Sequence, residues 1–110
     1  MNDATDERIR SRIAGCDVML YMKGSPLFPQ DGFSARVVQI LHQLGVSFQS
    51  DDILQDPALR DGLKTFSSSS KIPQLYVKGE LVGDGDAVAA LYESGELQKF
   101  LAKRGVPVKT

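Results

Sequence analysis

Apolar and polar positions recur along this chain in periods that divide it into helices and strands. Ile9 and Ile13 stand four residues apart on one face of a short helix over residues 5–14, with Thr5 placed as its cap and Gly15 ending it. Cys16 to Met22, apolar but for Asp17, is bounded by Gly24, Ser25 and Pro26, the pattern of a central strand covered on both faces. A loop from Lys23 to Gly32 leads into a helix from about Phe33 or Ser34 to Leu44. There Val37, Val38, Leu41 and Leu44 form the buried stripe and Gly45 closes it. Val46 to Ile53 reads as a strand with a polar end. Asp56-Pro57 supplies a capping carboxylate and a proline at the first helical position, opening a helix to about Phe66 that buries Leu59, Leu63 and Phe66. Gln74 to Val77 and Glu80 to Gly83 flank Lys78-Gly79 as a tight hairpin. Ala87 to Lys103 is helical, with Val88, Leu91 and Tyr92 facing inward. Gly95 divides it, leaving Leu97 and Leu101 to the second helix.

The order of these elements predicts the architecture. Two strands separated by a helix pair in parallel through a right-handed crossover, and the last two strands form an antiparallel hairpin. The expected fold is α/β and thioredoxin-like, a four-stranded mixed sheet flanked by helices. The 110 residues fit a single domain spanning 1–110, with its core over about 7–103, and Ser67-Ser68-Ser69-Ser70 is too short to act as a linker.

Composition narrows the function classes. Thirteen Lys and Arg face fourteen Asp and Glu, a net charge of -1, so no basic excess exists to hold nucleic acid or an anionic membrane. The longest apolar run, Val18 to Met22, is far short of the ~20 residues of a membrane span. The acidic N-terminus lacks the basic and apolar regions of a signal peptide. Cys16 is the one cysteine, so no intramolecular disulfide can form and a cytoplasmic location is expected.

Several positions carry candidate chemistry. Ile72-Pro73 precedes a strand, where proline costs no ladder hydrogen bond; a cis peptide there would present the Ile72 backbone to an extended ligand, although base rate favours trans. Gly83-Asp84-Gly85-Asp86 sits where a strand hands over to a helix. It reads as a turn with a capping Asp, or as a ligand-facing turn that repels anions and attracts an ammonium group. Lys23, at the C-terminal edge of the first strand, can pair with a ligand carboxylate or stand solvated. His42 has no second ligand-type residue beside it and reads as structural, so no metal site is expected. Cys16, at the opposite edge of the sheet, reads as a half-buried inert thiol.

Tyr21-Met22-Lys23-Gly24-Ser25-Pro26, Gly32-Phe33-Ser34, Asp52-Ile53-Leu54, Ile72-Pro73-Gln74-Leu75 and Gly79-Glu80-Leu81-Val82-Gly83 fall in the order and spacing of the monothiol glutaredoxins, which the chain resembles. The resemblance implies a thioredoxin fold, a cis bond at Pro73 and a glutathione-binding groove. It assigns that groove to Lys23, Phe33 of the helix-start motif, Arg60 or Lys64 on the third helix, the Ile72 backbone ahead of Pro73, and the Gly85-Asp86 turn.

The departures bear on activity. Where the family has the cysteine of a Cys-Gly-Phe-Ser motif, this chain has Asp31; Ser69-Ser70-Lys71 replaces Trp-Pro-Thr, and Gly83-Asp84-Gly85-Asp86 replaces Gly-Gly-Cys-Asp. A carboxylate retains the charge that a helix N-terminus favours but cannot attack a disulfide, so no catalytic residue is expected. The [2Fe–2S] cluster of family dimers would need Asp31 oxygen in place of both protein thiolates, and is expected to be absent or labile. The expected role is a non-catalytic one in redox or iron–sulfur homeostasis, binding glutathione or a peptide or protein partner, as a monomer or weak homodimer. The alternatives are a cluster carrier or glutathione-dependent oxidoreductase, and a pure partner-binding module.

Overall fold

The computed structural model describes residues 3–109. Helix α1 (Asp3–Ala14) leads into strand β1 (Val18–Met22), helix α2 (Gly32–Gln43) and strand β2 (Gln49–Asp52). A 3-10 turn (Ile53–Gln55) precedes α3 (Pro57–Ser67), the hairpin strands β3 (Gln74–Val77) and β4 (Glu80–Asp84), and the helices α4 (Gly85–Ser94) and α5 (Glu96–Lys103). The four strands form one sheet in the order β2-β1-β3-β4. β1 runs parallel to β2 with Met19 opposite Gln49, and antiparallel to β3 with Leu20 opposite Leu75; β3 and β4 are antiparallel. This is the thioredoxin-like mixed sheet that the element order predicts.

The sheet is a wall between two cores, and β1 shows why. All five of its residues are buried, and their alternation sends them to opposite faces. Val18, Leu20 and Met22 join Val37, Leu41, Val88, Leu97 and Leu101 from α2, α4 and α5. Met19 and Tyr21 join Ile9, Ile13, Leu59 and Leu63 from α1 and α3. Fully burying each such side chain contributes about 1.5–3 kcal/mol, so a strand apolar on both faces is fixed at the centre of the sheet.

Some expectations need correction. α1 starts at Asp3, so Thr5 lies inside the helix and is buried rather than capping it. A Cβ on Gly62 of α3 would come within 2.5 Å of Thr5 Cγ2, so these helices approach closely. Cys16 and Asp17 precede β1 rather than belonging to it. β2 is confined to Gln49–Asp52, because an edge strand ends where its one neighbour does; Val46 is buried outside any strand, its N–H donating to the Leu41 carbonyl at 3.0 Å. α4 begins at Gly85, two residues earlier than Ala87, because Asp84 accepts the Ala87 N–H at 3.0 Å. The Ile72-Pro73 bond is cis, as the resemblance implies and against the base rate. No described helix is long and apolar enough to cross a membrane.

Candidate functional site

The C-terminal ends of β1 and β4, the N-terminal end of β3 and the N-termini of α2 and α4 meet at one end of the sheet. Lys23, immediately after β1, is held there by its main chain. Its N–H donates to Ser34 Oγ at 3.1 Å, and its carbonyl accepts the Gln30 N–H at 2.9 Å. Gly24 follows with φ +89°, a left-handed conformation that glycine adopts without strain, and donates to Asp52 Oδ1 at 2.9 Å. The same oxygen accepts the Leu54 N–H at 2.9 Å, so the end of β2 anchors the loop after β1.

Asp31 caps α2, its Oδ1 accepting the Ser34 N–H at 2.8 Å. Its Oδ2 stands 3.8 Å from Lys23 Nζ. Across the groove the arrangement repeats: Asp84 caps α4 and its Oδ2 stands 3.7 Å from Lys71 Nζ. Each carboxylate thus meets both a helix N-terminus and an ammonium group, the two features that stabilise an anion.

These four side chains line a cavity of about 340 Å³ with Phe33, Ser70, Ile72, Gly85 and Asp86. Six sequence-selected positions, Lys23, Asp31, Phe33, Ile72, Gly85 and Asp86, are therefore brought together. Pro73 is buried behind them, and a Cβ at Gly85 would lie 3.4 Å from Pro73 Cδ and 3.2 Å from Phe33 Cβ. Such contacts leave little room for a side chain at residue 85. Arg60 and Lys64 line an adjoining hollow of about 240 Å³ that shares Ser70 and Ile72 with the main cavity. Among the described residues, Ile72 N–H and C=O make no hydrogen bond within the chain, so both remain available to a ligand.

Sequence reasoning missed the supports of this groove. Ser34, fully buried, ties the start of α2 to the end of β1. Gln74, also buried, donates from Nε2 to Ser67 Oγ at 2.9 Å and the Ser69 carbonyl at 3.1 Å, while its Oε1 accepts the Tyr76 hydroxyl at 3.0 Å. This network shapes the Ser67–Ser70 loop at the rim. A polar residue within an otherwise apolar strand was its one sequence signal.

Cys16 lies before β1 and Lys23 directly after it, at opposite ends of a strand about 17 Å long. Its Sγ donates to the Arg12 carbonyl at 3.2 Å. Burial pushes its pKa up, with Asp17 and Asp51 adding to the rise and Arg12 opposing it, so the thiol keeps its proton. No group of three or more His, Cys, Asp or Glu among the described residues is placed to hold a metal ion.

A glutaredoxin family model matches residues 18–82. The chain is 48% identical over 101 residues to an uncharacterized monothiol glutaredoxin ycf64-like protein of Synechocystis, covering 92% of this chain and 94% of that one. It is also 48% identical over 109 residues to monothiol glutaredoxin-S17 of Arabidopsis thaliana, but spans only 22% of that longer protein. The fold is similar to the solution structure of a monomeric truncated mutant of Trypanosoma brucei 1-C-Grx1, with TM-score 0.87, 35% identity and 96% of each chain covered.

Proposed function

The chain belongs to the glutaredoxin family, and on that premise we propose that it binds glutathione in the groove between Lys23 and Asp86 without performing thiol–disulfide exchange. The observation that carries this reading is the Asp31 carboxylate at the N-terminus of α2, within 3.8 Å of Lys23. In the family's motif this position supplies the thiolate, and a carboxylate oxygen neither attacks sulfur nor leaves as a thiolate does. The remaining cysteine has a raised pKa and sits at the far edge of the sheet, where it cannot take over the role.

The groove's chemistry matches a tripeptide with two carboxylates and one ammonium group. Lys23 offers a charge-assisted contact to one carboxylate, and Arg60 or Lys64 to the other. The free Ile72 N–H and C=O suit an extended backbone. Asp86, exposed in the first turn of α4, suits the ammonium end. A [2Fe–2S] cluster fits poorly, since it takes thiolate sulfur and Asp31 offers harder oxygen. The groove's place in the cell, on this reading, is a binding role in redox or iron–sulfur homeostasis.

The test is calorimetric titration with reduced glutathione, paired with a glutathione-dependent disulfide reduction assay. Saturable binding with no turnover is expected. Turnover by the wild-type protein, or a brown dimer with two irons per pair after anaerobic purification, would contradict the reading.

A further inference from the structure

Asp31 also bears on which form of glutathione the groove accepts. If residue 31 occupies the place of the family thiol, which forms a mixed disulfide with glutathione, then the ligand's sulfur must face residue 31. In this chain the features that would welcome negative charge there are already taken. The Ser34 N–H at the start of α2 is bonded to Asp31 Oδ1 at 2.8 Å, and Lys23 Nζ is paired with Asp31 Oδ2. The second lysine of the cavity, Lys71, faces Asp84 in the same way. With Asp86, the lining carries three carboxylates against two ammonium groups. A ligand bearing negative charge on sulfur would bring that charge against a half-buried carboxylate with no free cation beside it.

Beside Asp31 the cavity offers an apolar wall instead. Phe33 lines it and remains 55% exposed. Leu27 and Phe28, on the turn just before Asp31, are 84% and 71% exposed, so three of the five large exposed apolar side chains among the described residues lie between positions 27 and 33. Apolar surface of this kind gains from being covered by a hydrocarbon group.

We propose that Asp31 and Phe33 make this groove selective for glutathione thioethers, in which sulfur is alkylated and uncharged, over forms with negative charge at sulfur. The inference rests on the glutathione reading above. It involves no bond making or breaking: Asp31 sets the charge preference and Phe33 covers the sulfur substituent.

The experiment is calorimetric titration of wild-type, Asp31→Asn and Phe33→Ala proteins with glutathione, S-methylglutathione, S-hexylglutathione and glutathione sulfonate. Asn keeps a side-chain oxygen for the Ser34 N–H, so the cap survives while the charge is removed. In the wild type, the sulfonate should bind about tenfold more weakly than S-methylglutathione, and S-hexylglutathione most tightly, as expected of like charges in a partly solvated site and an added apolar contact. Asp31→Asn should bring the sulfonate to within about twofold of S-methylglutathione, since the carboxylate that repels it is then gone. Phe33→Ala should erase the advantage of the hexyl group and leave the discrimination against sulfonate. Equal binding of sulfonate and thioether by the wild type, or a discrimination that survives in Asp31→Asn, would overturn the inference while leaving the glutathione reading intact. Failure of all four compounds to bind the folded protein would overturn both.

Discussion

Ser34 Oγ accepts the Lys23 backbone N–H at 3.1 Å, a bond between residues eleven apart that joins the end of β1 to the start of α2. Ser34 is fully buried, and its own N–H goes to Asp31. One small side chain thus fixes the relative position of the groove's cation and its carboxylate.

Removing that hydroxyl leaves the Lys23 N–H without its partner. Ser34→Ala should lower stability by about 1–3 kcal/mol, the cost of an unsatisfied buried donor, with the loss read from the midpoint of urea unfolding. An unchanged midpoint would mean that water or a local shift replaces the bond.

Lys23 is the cation nearest the α2 N-terminus within the cavity. Lys23→Ala should weaken glutathione binding by about 1–3 kcal/mol, the scale of a hydrogen bond to a charged group. The salt dependence of the remaining binding should be shallower. Titration at two ionic strengths measures both effects, and salt-insensitive binding in the wild type would remove Lys23 from the site.

How much of this was legible in the sequence differs between fold and site. β1 and the amphipathic helices follow from periodicity, because burial on one or both faces writes itself into the order of apolar residues. The cavity residues Lys23, Phe33, Ile72, Gly85 and Asp86 sit at element boundaries, where Gly, Pro and Asp mark them. What no local pattern carries is contact at a distance. Asp52 reaches the Gly24 N–H across 28 positions, and Lys71 pairs with Asp84 from another element. Arg60 and Lys64 line the adjoining hollow, which meets the cavity at Ser70 and Ile72, a placement that depends on where helix α3 packs.

Acid should weaken the packing of α1 on α3 through Asp56. Its pKa is held below the ordinary value first by the Arg8 hydrogen bond at 2.7 Å and then by the Leu59 N–H. Because the folded value lies below the unfolded one, this stabilisation is complete above the unfolded carboxylate pKa of about 3.9. It is lost as pH falls through the folded value. Arg8→Gln should melt slightly below the wild type at neutral pH, and the gap should close in acid. A gap that persists in acid would show that Arg8 acts through packing instead.

Introducing a thiol at residue 31 tests whether the groove presents glutathione to this position. Asp31→Cys places sulfur at the α2 N-terminus beside Lys23, where both favour thiolate. Exposed to glutathione disulfide, this variant should become glutathionylated at residue 31, and equally so with Cys16→Ser added. Intact-mass measurement decides it, and inertness in both folded proteins would mean that the groove no longer presents glutathione to this position.

An intact glutathione groove around the Asp31 carboxylate should show itself in two-dimensional amide NMR of the wild-type protein titrated with reduced glutathione. Reversible shifts are expected to concentrate at Lys23, Asp31, Phe33, Ile72, Gly85 and Asp86, with no change of mass and no response at Cys16. An unperturbed groove at saturating glutathione, or a covalent adduct on Cys16, would contradict it.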